Sequence, residues 1–463
     1  MHDPRAREKR DDHGPLDPAI LAVFALGLGL SLLLALRSQV GGDQLNLLAR
    51  GWLLVERGEW VPYGNPSSSG GAVPGGVTAL LVGAPLAAWR SHRAAVLGVL
   101  LTQVAAFLLL DRWLREALGR RERRLFAVVY WLNPWRLVLS GFLWNPGYLL
   151  LVGAVHVWTM WRQRAGGRLG QSMLHALALG IGFQVHPSVV LLGAVSLLGL
   201  WSGHFRLSWA GAALGAALAT LPLLPWALAI GADPSMMPTS KGFLGRGLLL
   251  VFPLLRGILY WFRHASLDLS GTESRLDFAP ALGEMGRPLR ALGSAVVQGL
   301  GLASLPLPVF ANLRLWRRAR RRGWRGMLRP GARRRRWVAS YVRICFAAAL
   351  LVYALAPTTV MWWQGVALLH AAVLPLALWA GALARLRPRA VAVAARAWGA
   401  GAVAIALLVA FAGPRHHCGG DDIVIPLRHD HPMLHELGIH EACRVPVQPG
   451  GWWPDVLPEP AGP

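Results

Sequence analysis

The chain has 463 residues, of which 54% are hydrophobic and 15% are charged. Soluble domains carry about 25% charged residues, so this composition excludes an ordinary soluble protein. Its apolar stretches repeatedly reach the length of about 18 to 20 residues that crosses a bilayer as a helix. The sequence therefore predicts an all-α polytopic membrane protein.

The net charge of +24 comes from 47 Lys and Arg against 23 Asp and Glu. A basic excess can indicate nucleic-acid binding, but here the arginines cluster in short segments between the apolar stretches. The positive-inside rule gives cytoplasmic loops this pattern, so we expect no nucleic-acid partner. The most basic segment, 314–337, is interpreted in the same way, with lipid or partner binding as the alternative.

The first predicted span covers Pro18 to Leu36 and follows a basic N-terminus, residues 1–17, which we place in the cytoplasm. Residues 37–93 then form an outer loop. Its apolar segment 76–89 is short and interrupted by Pro85, and we expect it to lie in or dip into the outer interface, with a true span as the alternative. The next six spans are predicted at 94–110, 125–139, 149–161, 174–184, 188–201 and 208–230.

Residues 231–290 form a second outer loop, with another interfacial stretch at 248–262. The last four spans are predicted at 291–313, 338–355, 366–384 and 391–412. This gives about eleven transmembrane helices, within a range of nine to thirteen. The transmembrane domain is then 18–412, and residues 413–463 form a small extracytoplasmic tail.

The tail contains two cysteines, Cys418 and Cys443, that can pair if it lies outside the cytoplasm. We expect a small disulfide-closed cap that lies over the outer face of the helical bundle. The tail is also dense in residues that bind zinc, but their spacing is irregular, and we predict no metal site. These residues are His416, His417, Asp422, His429, His431, His435 and His440.

Asp43 follows the first span and precedes the segment LNLLARGWLLVERGEW. Leu45, Leu48 and Trp52 recur there at helical spacing, which predicts an amphipathic helix lying on the membrane. Two roles for Asp43 stay open. It caps this helix, or its carboxylate takes a proton from an acceptor hydroxyl at the membrane face.

The order of a first span, an outer Asp and an amphipathic segment ending GEWVPYGNP resembles the GT-C glycosyltransferases. These multispanning enzymes use polyprenyl-phosphate sugars and include the protein O-mannosyltransferases and the lipid A aminoarabinose transferase. Segments 144–162, 177–192 and 360–378 are similar to helices of the family. The resemblance covers the first half of the chain most closely.

The resemblance implies that Asp43 is the general base of an inverting sugar transfer. The implied partners are a polyprenyl-phosphate sugar donor, membrane lipids, and a lipid, glycan or protein acceptor. Gln44 stands where many relatives carry a second acidic residue, and the next outer turn offers only Trp144 and Asn145. No cofactor is assigned, and dependence on a divalent cation stays open.

Other substrate-binding candidates are polar or aromatic residues of the outer segments. Cations near a departing phosphate would stabilise its charge, although they also anchor helices to lipid head groups. A histidine at the bend between two spans either binds substrate or is hydrogen-bonded structure. The predicted substrate-binding residues are Glu59, Trp144, Asn145, His186, Lys241, Arg246 and Arg263.

A non-catalytic transporter or flippase of lipid-linked glycans is the alternative function. Transporters often contain inverted repeats, and no convincing repeat is evident in this sequence. A glycan polymerase or ligase would share the chemistry but use a lipid-linked acceptor. We place the protein in the inner (plasma) membrane, with its N-terminus in the cytoplasm and its C-terminus outside.

Reduction of the predicted Cys418–Cys443 disulfide should slow a fragment containing residues 413–463 on a denaturing gel. The reason is that opening the cross-linked loop expands the denatured chain. The measurement compares the mobility of this fragment with and without reductant. The Cys443→Ser variant should migrate like the reduced fragment in both conditions, and a wild-type fragment insensitive to reductant would contradict the pairing.

Overall fold

The structure, a computed structural model, describes most of the chain. The described residues are 17–38, 40, 42–66, 72–232, 251–269, 283–320, 323, 328–331, 333–356, 360–412, 431–439 and 456–457. Within them, one short β-hairpin accompanies an otherwise helical architecture, which confirms the predicted all-α polytopic membrane fold.

The helices fall into two halves of the chain. The first half contains α1 Pro18–Leu36, α2 Gly42–Arg57, α3 Val77–Ala88, α4 His92–Ala117, α5 Arg120–Phe126, α6 Pro134–Leu139, α7 Asn145–Arg162, α8 Leu169–Val185 and α9 Val190–Trp201. The second half contains α10 Trp209–Thr220, α11 Leu224–Ala232, α12 Val251–His264, α13 Gly286–Ser304, α14 Pro306–Arg320, α15 Arg334–Ala354, α16 Leu369–Leu383, α17 Pro388–Ala412 and α18 Pro432–Glu436. Strands β1, Tyr63–Pro66, and β2, Ala72–Pro74, pair antiparallel.

Seven helical segments of the described chain are long and apolar enough to cross a membrane. They are Pro18–Leu36, His92–Ala117, Trp209–Ala232, Gly286–Arg320, Arg334–Ala354, Trp362–Leu383 and Pro388–Phe411. The α3 helix, which lies in the predicted interfacial segment, is a shorter apolar helix, as is Pro187–Trp201. The total of about eleven spans stays a prediction.

The third predicted span, 125–139, is not one continuous helix. The chain passes from α5 into a π-helical turn at Ala127–Trp131, and Asn133 then caps α6 by accepting its first free backbone N–H groups. Pro134 has no N–H to donate and therefore suits the first turn of α6. The side-chain nitrogen of Asn133 also donates to the carbonyl of His264 at 2.7 Å, which fastens the break to α12.

Asp17 anchors the start of α1. Its carboxylate lies 2.7 Å from Arg120 and 2.8 Å from Arg124. Burial by itself raises the pKa of this carboxyl, but the hydrogen bonds from Arg124 and Arg120 outweigh burial and hold the pKa well below its usual range. The ion pairs therefore fix the N-terminus of α1 to α5.

Two further carboxylates form ion pairs with arginines of the basic segments at the same end of the bundle. Glu122 lies 3.5 Å from Arg335 and 3.0 Å from Arg385, so it joins three segments that are distant in sequence. Asp111 pairs with Arg123 at 2.9 Å. The end of the bundle that carries Asp17, Asp111, Glu122 and their arginines is called the basic end below.

The α1 helix runs from the basic end to the opposite end of the bundle, called the far end. Its 19 residues span about 28 Å, a bilayer-core distance, because an α-helix rises about 1.5 Å per residue. At the far end, Arg37 donates to the carbonyl of Ala410 and lies 5.2 Å from the ring of Phe411 in α17. The chain then enters α2, so Asp43 is separated from the basic end by the length of a membrane span.

The Gly153→Ala substitution should lower the thermal midpoint of unfolding in detergent. A Cβ atom at Gly153 in α7 would overlap the backbone carbonyl of Ala367, in the 3-10 helix Trp362–Leu368 that precedes α16. Relieving such an overlap requires a backbone shift, which costs about 1–3 kcal/mol.

Gly170→Ala in α8 is the matched control, because a Cβ atom there meets open space. This change should be neutral or slightly stabilising, since alanine is the better helix former by about 1 kcal/mol. Equal midpoints for the two variants would contradict the close packing of α7 against the 3-10 helix.

Candidate functional site

Asp43 is held at the far end by contacts to its side chain and its backbone. It lies in the first turn of α2, and its exposed carboxylate accepts a hydrogen bond from the indole nitrogen of Trp144 at 3.0 Å. Its carbonyl oxygen accepts from the side-chain amide of Asn65 at 3.0 Å. A negative charge in the first turn also interacts favourably with the helix dipole. The structure thus presents a fixed, accessible carboxylate.

A buried arginine connects α2 to the hairpin that supplies Asn65. The guanidinium of Arg50 donates to the carbonyls of Asn46 at 2.9 Å and Tyr63 at 3.1 Å. The Arg50 side chain is fully buried, so both contacts are shielded from water and hold the hairpin against α2. The hairpin in turn fixes the backbone at Asp43.

Four tryptophans extend from the carboxylate into the bundle. Trp144 packs edge-on against Trp362 and Trp363, with ring centroids 5.5 and 5.2 Å apart, and Trp362 lies 4.8 Å from Trp135. Trp135 and Trp362 are buried, whereas Trp144 and Trp363 are half-buried and keep accessible ring surface. These four residues are called the tryptophan cluster.

Arg256 places a positive charge next to the segment that contains Trp362 and Trp363. Arg256, half-buried on α12, donates to the hydroxyl of Tyr260 at 3.2 Å and lies 3.1 Å from the sulfur of Met361. Met361 directly precedes Trp362. The site therefore combines a carboxylate, aromatic surface and a guanidinium group.

Arg263, a predicted phosphate ligand, lies on the same helix as Arg256 but in a different setting. It forms a 2.7 Å ion pair with Asp268, and both side chains are almost buried. Its guanidinium lies 5.4 Å from the ring of Trp135 in the tryptophan cluster. Since Asp268 already balances its charge, Arg263 is placed to support the cluster, and its role towards phosphate stays a prediction.

The remaining described candidates surround this site at different depths. Glu59 is exposed beyond the C-terminus of α2. Asn145 is buried at the start of α7, and its side-chain oxygen has no hydrogen-bond partner among the described residues. His186 accepts from the backbone N–H of Ser188 at 3.2 Å and begins a short turn that contacts the 3-10 helix Trp362–Leu368. The bend histidine thus has a structural hydrogen bond.

Several predicted residues lie outside the described part of the chain. They are Lys241, Arg246, Cys418, Cys443, His416, His417, Asp422, His429 and His440. Among the residues that are described, no three His, Cys, Asp or Glu side chains are grouped closely enough to hold a metal ion.

The described part of the tail docks at the far end. The indole nitrogen of Trp52 in α2 donates to the carboxylate of Glu436 at 2.6 Å, and the backbone N–H of His92 donates to the carbonyl of Leu437 at 3.1 Å. Leu434 and Leu437 are fully buried. The tail therefore packs on the same helix that carries Asp43, while a cap over the site stays a prediction.

Sequence reasoning missed three contributors to the site: Asn65, Arg256 and the Trp362–Trp363 pair. Asn65 belongs to a Gly, Ser and Pro-rich stretch that reads as flexible, and the tryptophan pair lies in a segment that reads as one more apolar helix. The adjacent tryptophans and the glutamine just before the predicted span at 366–384 were the available signal. Arg256 gave none, because an arginine in an interfacial helix is common.

Comparison with known proteins finds similarity in three-dimensional structure but not in sequence. No protein-family model and no curated protein sequence matches the chain. The crystal structure of ArnT from Cupriavidus metallidurans in the apo state matches with a TM-score of 0.52 at 15% identity, covering 85% of this chain and 77% of that one. The chain shares the fold of ArnT. The structure of the same protein bound to undecaprenyl phosphate matches with a TM-score of 0.50 at 14% identity and the same coverage.

This likeness confirms the predicted resemblance to the GT-C enzymes at the level of the fold. Since the fold is shared at such low identity, activity does not follow from it. The function must be argued from the residues around Asp43 and the tryptophan cluster.

Proposed function

We propose that the protein is a membrane glycosyltransferase that moves a sugar from a polyprenyl-phosphate donor to an acceptor hydroxyl. The observation that carries the proposal is the exposed carboxylate of Asp43, held by Trp144 beside the tryptophan cluster. The fold shared with ArnT, a protein solved with undecaprenyl phosphate bound, adds support for a lipid-linked donor.

In the proposed reaction, Asp43 is the general base. Its carboxylate accepts the proton of the acceptor hydroxyl while the hydroxyl oxygen attacks the anomeric carbon of the sugar. The bond from that carbon to the phosphate oxygen breaks on the opposite face, its electron pair leaves with the lipid phosphate, and the anomeric configuration inverts. Because Trp144 donates to Oδ2 of Asp43, we assign Oδ1 to the acceptor.

The donor would be held by aromatic surface and positive charge. The accessible ring faces of Trp144 and Trp363 suit the apolar face of a sugar ring, because indole combines a large apolar surface with a polar N–H. Arg256 would stabilise the charge that develops on the leaving phosphate through charge-assisted hydrogen bonds. Lys241 and Arg246, on the same outer loop by sequence, remain candidates for this role.

The proposed reaction takes place outside the cytoplasm. The positive-inside rule assigns the basic end to the cytoplasm, and α1 separates that end from Asp43 by about the thickness of a bilayer core. The N-terminus would then be cytoplasmic, and the tail that docks on α2 extracytoplasmic. We place the protein in the plasma membrane, where polyprenyl-phosphate sugars would reach the outer leaflet.

The Asp43→Asn variant should lower the rate of sugar transfer by about a hundred-fold or more, because an amide cannot take the proton. The assay reconstitutes the full chain in liposomes with a panel of undecaprenyl-phosphate monosaccharides and a membrane extract as acceptor. It measures released undecaprenyl phosphate. Glu56→Gln is the matched control on the same helix, since it removes only a surface pair with Arg90.

The control should retain wild-type activity within about twofold, as expected for a weak surface pair. The asparagine variant should keep the wild-type thermal midpoint, since its side-chain oxygen still accepts from Trp144. Undiminished transfer by a normally folded Asp43→Asn protein would remove Asp43 from the mechanism.

The Arg256→Gln variant should lower the turnover number by about ten- to a hundred-fold, because the leaving phosphate loses a charged donor. Arg256→Lys should recover part of the rate, since it keeps the charge but not the two-pronged geometry. The same assay, run over a range of donor concentrations, separates turnover from donor affinity. Arg287→Gln, an exposed change on α13, is the control, and equal rates for both glutamine variants would exclude Arg256 from the site.

A further inference from the structure

An arginine-lined cavity lies at the basic end, away from Asp43. It is a partly open cavity with a volume of about 330 Å³, lined by α14, α15 and α16 together with the residue that precedes α15. This volume is in the range of small-molecule sites, about 300–1,000 Å³. Its charged lining consists of Arg314, Arg318, Arg333, Arg335, Arg336 and Arg343.

The cavity has an excess of positive charge. None of its described lining residues is acidic. Glu122, outside the lining, pairs with Arg335, but it also serves Arg385. Arg343 is buried and Arg335 half-buried, whereas the other four lining arginines are exposed. Guanidinium groups around one cavity repel each other, most strongly where they are shielded from water, and a bound anion relieves this repulsion. The electrostatics therefore favour an anionic ligand.

One arginine of the cavity is buried in the middle of a span-length helix. Arg343 lies well inside the membrane-length helix α15, and its residue is only 5% exposed. An ionisable side chain within a spanning helix is costly and generally serves a functional contact. Arg336 and Arg343 are seven residues apart, two helical turns, and therefore face the cavity from one side of α15.

The rest of the cavity lining is apolar, and an exposed aromatic residue lies next to it. Leu378 and Trp379 of α16 line it, and Trp379 packs edge-on against Phe310 of α14 at 5.4 Å. Phe310, Arg314 and Arg318 follow each other at four-residue intervals, which places them on one face of α14. Phe310 is 48% exposed. This face changes from aromatic to cationic along the helix.

We propose that this cavity binds the phosphate head group of an anionic phospholipid, with an acyl chain lying along Phe310 and Trp379. Arginine presents paired N–H groups that match phosphate oxygens, and the aromatic surface beside it fits hydrocarbon. Basic pockets between transmembrane helices are a recognised way to bind anionic lipids. A free phosphate ion would use the arginines but leave the apolar wall without a ligand.

The site joins the C-terminal half of α14 to α15 and α16, and each of the first two helices contributes arginines to it. A lipid phosphate between them would act as a counter-ion and stabilise the folded state by mass action. This role is independent of sugar transfer at Asp43, because the two sites lie at opposite ends of the bundle.

The test measures the thermal midpoint of the full chain in detergent as phospholipid is added. Phosphatidylglycerol should raise the midpoint in a saturable manner, and phosphatidylcholine should not. The double variant Arg314→Gln/Arg318→Gln should need about tenfold more phosphatidylglycerol for half the effect, since it loses two charged donors. Arg317→Gln/Arg320→Gln is the matched control, because these arginines of the same helix do not line the cavity.

The control should behave like the wild type. Equal weakening by both double variants would mean that only general surface charge attracts the lipid, and an equal effect of phosphatidylcholine would exclude head-group recognition. A saturable midpoint rise with inorganic phosphate alone, as large as that with phosphatidylglycerol, would identify a free-phosphate site and overturn the lipid proposal.

A second measurement, by photo-cross-linking, uses only the wild-type protein and so does not depend on the folding of a variant. A phosphatidylglycerol with a photoactivatable acyl chain is cross-linked to the wild-type protein in phosphatidylcholine liposomes, and the labelled peptides are identified by mass spectrometry. Labels should concentrate on the segments around Phe310 and Trp379 and be displaced by unlabelled phosphatidylglycerol. Labels spread evenly over the lipid-facing helices would contradict a specific site.

Discussion

Within a bilayer, every backbone N–H and C=O group needs a partner inside the protein, and this constraint governs where the chain departs from regular helix. The break at Asn133 is covered by α12, whose carbonyl at His264 accepts from the Asn133 side chain. The 3-10 helix Trp362–Leu368 is packed against α7, where only glycine at position 153 allows its backbone to approach. These two irregular segments are therefore covered by neighbouring helices. Trp135 follows the first of these segments, and Trp362 and Trp363 lie in the second. The contacts that cover the irregular backbone therefore also position tryptophans of the candidate site.

The two ends of the bundle differ in their electrostatic character. At the basic end, a few buried carboxylates each serve more than one arginine, as Glu122 does for Arg335 and Arg385. At the far end, the Asp43 carboxylate accepts from a neutral donor, Trp144, and remains exposed within the described part of the chain. The carboxylates at the basic end are thus held in ion pairs, whereas the Asp43 carboxylate accepts a hydrogen bond from an uncharged indole N–H. The paired carboxylates anchor helices at one end of the bundle, and the exposed carboxylate of the candidate site lies at the other.

The sequence predicts those parts of the fold that depend on length and hydrophobicity alone. The α1 helix is a continuous apolar stretch and α17 is one after Arg396, and both are long and apolar enough to span a membrane. The break at Asn133 could not be predicted, since proline also begins or kinks helices in membranes and tertiary contacts decide which occurs. Asp43 and Trp144 were both singled out from the sequence, but their hydrogen bond joins residues 101 positions apart. Arg256 was missed because its partner Met361 is 105 positions away. Long-range contacts of this kind leave no local pattern.

The anchor at Asp17 has a consequence for how the protein is made. Its partners Arg120 and Arg124 follow it by 103 and 107 positions, so α1 enters the membrane before either arginine has been synthesised. During that interval the Asp17 carboxylate is solvated by water, and the first helix is oriented without it. The ion pairs form only when α4 has crossed and returned the chain to the same side. If α4 inserted in the opposite orientation, Arg120 and Arg124 would lie on the other side of the membrane from Asp17. Asp17 would then lack these two ion pairs, and the N-terminus of α1 would not be fixed to α5.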